Sequence, residues 1–130
     1  MKITFLLLLT MLCLGCGYST PQAAAPQPGT KPTIAALVPN AANSGDPQFM
    51  LTVNGSSFSS NAVINWNGAA QATTRVTAGQ LTATIPATAI ANPGAVPVTV
   101  TNPATPGSGG VYGSGGTAAS TSSPMTFTVN

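Results

Sequence analysis

The sequence predicts an all-β fold, an antiparallel β-sandwich of six or seven short strands, and three observations carry that prediction. Apolar residues recur at every second position in several stretches after Pro32, the spacing at which successive side chains point to opposite faces of a sheet. Asn-Gly pairs and prolines punctuate those stretches as turn signals do. No segment has the length and period of a crossover helix, which parallel strands would require.

Thr33–Val38 is the first candidate strand, and in the second Phe49, Leu51 and Val53 alternate with Met50, Thr52 and Asn54 before Asn54-Gly55 ends it. Ala62–Trp66 is followed by Asn67-Gly68, which suits a two-residue hairpin because both central residues of that turn need positive φ. Gln71–Val76 reads as a short return strand. Leu81, Ala83 and Ile85 then alternate with Thr82 and Thr84 up to Pro86, and Pro86–Ala91 admits one helical turn that Pro93 cuts short. Val96, Val98 and Val100 alternate with Pro97, Thr99 and Thr101, and Met125, Phe127 and Val129 alternate with Thr126 and Thr128. Between them, Pro103 to Pro124 is rich in Gly, Ser, Thr and Ala, and such runs behave as slack coil. Its bulky island, Val111 and Tyr112, makes Tyr112 a candidate contact at the loop tip.

Upstream of the strands the chain divides into a leader, residues 1–15, and a tether, residues 16–31, ahead of a domain over 32–130 whose Gly/Ser-rich loop spans 104–124. Lys2 followed by the apolar stretch Ile3 to Gly15 has the build of an export signal, too short for the roughly 20 residues of a membrane-spanning helix. The end of the leader, Leu12-Cys13-Leu14-Gly15-Cys16, resembles the lipobox of bacterial lipoproteins, with Cys13 standing where leucine is usual. That resemblance implies lipidation at Cys16, hence the membrane as a partner and the cell envelope as the location; plain secretion is the alternative. Gly17 rather than aspartate after the cysteine implies, by the sorting habit of enterobacterial lipoproteins, the outer membrane. The tether carries Pro21, Pro26 and Pro28 and reads as a spacer.

Composition narrows the chemistry. The 130-residue chain has no histidine, three Lys or Arg and a single acidic residue, Asp46. Glycoside hydrolysis by paired carboxylates cannot be assembled from one aspartate, and the serines lack a histidine or acidic partner to activate them. Catalysis, cofactors and metals are therefore not expected; a calcium site alone would need six to eight oxygens, usually from several carboxylates. Lys31 and Arg75 stand apart, so the clustered cations of a nucleic-acid surface are missing too. Cys13 lies inside the leader and Cys16 directly at its end, so the domain must be held by packing rather than by disulfides.

Pro39, the run Phe49-Met50-Leu51-Thr52-Val53-Asn54-Gly55-Ser56-Ser57-Phe58, Val63 through Trp66-Asn67-Gly68, Leu81 through Pro86, Val98 through Pro103 and the closing Thr126-Phe127-Thr128-Val129 together resemble the bacterial IPT/TIG domain, over about Lys31 to Asn130. The resemblance implies an immunoglobulin-like sandwich of the early-set kind, used as a module in surface receptors, envelope proteins and polysaccharide-degrading enzymes, with no shared catalytic site.

Two readings of function follow. A structural or protein-binding envelope module is the first, supported by outward strand positions rich in threonine and nearly free of the charges that discourage edge pairing. A small polysaccharide-binding module, with Trp66 or Tyr112 as the stacking platform, is the alternative. Alternation places Ile64 and Trp66 on one face and Val63 and Asn65 on the other without saying which is inside; because buried aromatics dominate small sandwich cores, packing is the expectation for Trp66. Phe58 is expected to plug one end of the sandwich, and Asp46 and Arg75 to be solubilising surface.

Overall fold

In the computed structural model, residues 29–107 and 116–130 are described. The leader, Cys16, most of the tether and the Val111-Tyr112 island lie outside them. The strands are β1 (Thr33–Val38), β2 (Ala41–Ala42), β3 (Phe49–Ser56), β4 (Val63–Trp66), β5 (Ala69–Ala70), β6 (Thr73–Thr77), β7 (Gln80–Ile85), β8 (Gly94–Asn102), β9 (Ser120–Thr121) and β10 (Met125–Val129). Seven of these, with four or more residues each, are the strands expected from the sequence. The other three have two residues apiece, too few to display a period.

Two sheets face each other. One has the order β1-β3-β7-β6; the other runs β2-β10-β8-β4-β5, with β9 also on β8. All pairings are antiparallel except the two-residue contact of β2 with β10. The chain reaches that contact by leaving β1 at the edge of the first sheet and entering the second sheet's edge as β2, so a parallel pairing arises without a crossover helix. The helical turn after β7 is present as a single 3-10 turn, Ala87–Ile90, which buries Ile90.

Alternation is converted directly into a core. Leu51, Val53, Leu81, Ala83 and Ile85 of the first sheet are buried against Ile64, Trp66, Val98, Val100, Phe127 and Val129 of the second. At about 1.5–3 kcal/mol for each large apolar side chain removed from water, this layer is the main stabilising term, and it uses no charge. Phe58 closes one end, buried, with its N–H on the Ala78 carbonyl at 2.9 Å.

Two glycines play different parts in the strands. Asn67 and Gly68 take φ of 49° and 82° and join β4 to β5 as a two-residue hairpin, as their sequence demands. Gly55, by contrast, does not end its strand: β3 continues through it to Ser56. A Cβ there would collide with the Thr33 carbonyl oxygen and the Phe58 ring, so the residue serves close approach of β1 rather than a turn.

The Gly/Ser-rich connection is not slack at its stems. Thr105 and Thr117 form a β-bridge, with a backbone bond of 2.9 Å and their hydroxyls 2.7 Å apart, and β9 adds to β8. Between β9 and β10 the edge is interrupted at Ser122-Ser123-Pro124, and there the buried Ser122 hydroxyl accepts the Val100 N–H at 2.9 Å. A side-chain oxygen thus takes the acceptor's place in the ladder where the strand is broken.

Candidate functional site

Trp66 is not available as a stacking platform. It is 4% exposed, its ring centroid lies 4.8 Å from that of Phe127 and 6.3 Å from that of Phe49, and its indole N–H points to the Ala89 carbonyl at 3.4 Å. Strand β4 presents Ile64 and Trp66 inward, and the 3-10 turn supplies the acceptor that a buried indole needs. Tyr112 and Cys16 lie outside the described residues.

Asp46 and Arg75 are not brought together either. The Asp46 carboxylate accepts the Asn43 N–H at 2.9 Å, closing the turn after β2. The Arg75 guanidinium reaches from the edge strand β6 to the Phe58 carbonyl at 3.3 Å, holding the end plug from outside. Each charge is engaged by backbone in its own part of the fold.

What the fold assembles instead is a cleft of about 380 Å³, within the size range of small-ligand and peptide side-chain sites. Its walls come from three separated pieces of chain: Pro39 to Asn43 around β2, Asp46 to Phe49 leading into β3, and Asn130 after β10. Phe49 gives it an aromatic element. That ring is half-buried and stacked on Phe127, centroids 5.5 Å apart at 15°, with Trp66 edge-on behind, so its position is fixed by the core. Asp46, the chain's only acidic residue, gives it a negative charge, while Lys31 and Arg75 are absent from its walls. Asn43, Gln48 and Asn130 add amides. Outside the cleft, Met50 and Val38, 62% and 55% exposed, extend an apolar shoulder from Phe49 and Pro39 onto the outer face of the first sheet.

Sequence reasoning missed this cleft. Asp46 was readable only as a surface charge and Phe49 only as an inward strand position, because nothing local says that the β2 turn, the start of β3 and the end of β10 meet. The prolines at 39 and 47 bracketing the β2 turn were the one available signal of a built loop there.

A second hollow, about 300 Å³, lies at the other end, beside Asn102 and the Thr105–Thr117 bridge. Its polar centre is structural. The Asn102 side chain, 6% exposed, accepts the Ser59 N–H at 3.0 Å and donates to the Thr30 and Ser57 carbonyls at 2.9 and 2.8 Å. Ser57 holds a left-handed φ of 62° in that arrangement.

Comparison with known proteins agrees with the fold. Neither a curated protein nor a solved structure matches the chain. The family model of the IPT/TIG domain, a family of non-enzymatic immunoglobulin-like modules, matches residues 32–129, which takes in every strand from β1 to β10. The chain belongs to the IPT/TIG domain family.

Proposed function

We propose that this chain is a non-catalytic, lipid-anchored module of the bacterial cell envelope with a structural or protein-binding role. The observation that carries the reading is the pairing of a family of non-enzymatic immunoglobulin-like modules with Gly15-Cys16 at the end of a short apolar leader. Diacylglycerol and a further acyl chain on Cys16 would hold the protein firmly, since each buried methylene contributes about 0.8 kcal/mol and one chain alone binds only reversibly. The proline-bearing tether would then carry the sandwich clear of the headgroups. By the sorting habit of enterobacterial lipoproteins, Gly17 after the cysteine favours the outer membrane.

The polysaccharide alternative has less support with Trp66 in the core, because sugar stacking needs an open aromatic face. Fractionation of cells producing Cys16→Ser tests the anchoring directly. The serine variant is expected in the soluble fraction; a variant that still sediments with the envelope contradicts the proposal.

A further inference from the structure

We propose that the cleft between β2, the start of β3 and the end of β10 is a docking site for an extended, arginine-bearing peptide segment of a neighbouring envelope protein. The inference rests on the protein-binding reading above and gives it a place and a chemistry.

Three features of the cleft converge on that occupant. The first is backbone. Strand β2 is the free edge of its sheet, and the Asn40 and Ala42 carbonyls accept the Thr128 and Asn130 N–H groups at 3.1 and 2.9 Å. Alternation along a strand then turns the N–H and C=O of Ala41 to the side away from β10, and Ala41 lines the cleft. An extended peptide satisfies such an edge with its own main chain; a sugar has no equivalent ladder. The second is charge. Asp46 is the chain's only acidic side chain, it lines this cleft, and the turn bond from the Asn43 N–H engages its Oδ2. The third is Phe49, a half-buried aromatic residue that also lines the cleft. A guanidinium is the cation that matches both a carboxylate, through its planar fork, and an aromatic ring, by stacking. Val38 and Met50, exposed and next in the chain to the lining residues Pro39 and Phe49, offer apolar contact to the flanking residues of the segment.

The test uses the whole chain, isotope-labelled and purified in detergent micelles, titrated with acetyl-Val-Arg-Val-amide, with acetyl-Val-Gln-Val-amide and with cellotetraose. Saturable amide shifts at Ala41 to Asn43, Asp46 and Phe49 are expected with the arginine peptide, and weaker binding with the glutamine peptide. Asp46→Asn keeps an acceptor for the Asn43 N–H and so keeps the turn. It is expected to weaken the arginine peptide roughly two- to five-fold, the range of an exposed ion pair, while leaving the glutamine peptide unchanged. Equal binding of the two peptides overturns the arginine assignment and leaves the protein-binding reading standing. Shifts at the cleft with cellotetraose alone overturn both. Shifts with no probe overturn the docking site, and the fractionation of Cys16→Ser is unaffected by that result.

Discussion

Asn102 shows how much one uncharged polar side chain can organise in a protein almost without ions. Its amide ties β8 to the Ser57–Ser59 loop and to Thr30 just ahead of β1, three pieces far apart in sequence. Asn102→Ala removes one acceptor and two donor bonds in a buried place, and buried polar groups left unpaired cost about 1–3 kcal/mol each. The variant is expected to lose at least about 2 kcal/mol in urea unfolding, and a loss under about 0.5 kcal/mol would mean the hub is dispensable. Ser122 is a smaller case of the same logic. With its hydroxyl gone, the Val100 N–H faces a buried gap in the ladder, so Ser122→Ala is expected to destabilise by about 1–3 kcal/mol, whereas Thr121→Ala, at the exposed hydroxyl pair with Thr101, should change stability by less than about 0.5 kcal/mol.

At the scale of elements, the inner faces of β3, β7, β8 and β10 were legible because the period of two survives in composition: Leu51 and Val53, Leu81 and Ile85, Val98 and Val100, Phe127 and Val129 all went inside as their spacing required. The Asn67-Gly68 hairpin was legible for a local reason, since two consecutive residues with positive φ leave few alternatives. Gly55 was misleading. An Asn-Gly pair reads as a turn, but here it lies inside β3, and the glycine answers to a carbonyl on β1 that only the tertiary structure brings near. Gly55→Ala is therefore expected to cost more than about 2 kcal/mol by prising β1 from β3, while a turn glycine with open space around it would be lost for the backbone strain alone. Protection of β1 amides in hydrogen exchange would report the difference: loss confined to β1 and β3 fits the close-approach role. The short edge pieces β2, β5 and β9 were illegible because two residues carry no pattern, and with β2 went the cleft.

At the scale of the whole molecule, the sandwich is closed by apolar packing with very little electrostatic content. Histidine is the side chain whose ordinary titration falls between about pH 5 and 8, and this chain has none. Stability should accordingly be flat across that window, with unfolding midpoints in urea that coincide at its two ends; a drift would signal a titrating group coupled to folding. Packing also sets what the surface can do. Among the described residues, Trp66 and Phe127 are arranged as a buried aromatic set and Phe49 reaches the cleft, so the recognition we propose there uses an edge, a carboxylate and one ring. The single tryptophan makes this claim measurable. Acrylamide quenching of Trp66 in the native chain should show a blue-shifted emission that is weakly quenched and does not respond to oligosaccharide, becoming red and strongly quenched only on unfolding. A native emission that is already red and freely quenched would contradict the account of the core and of the site built on it.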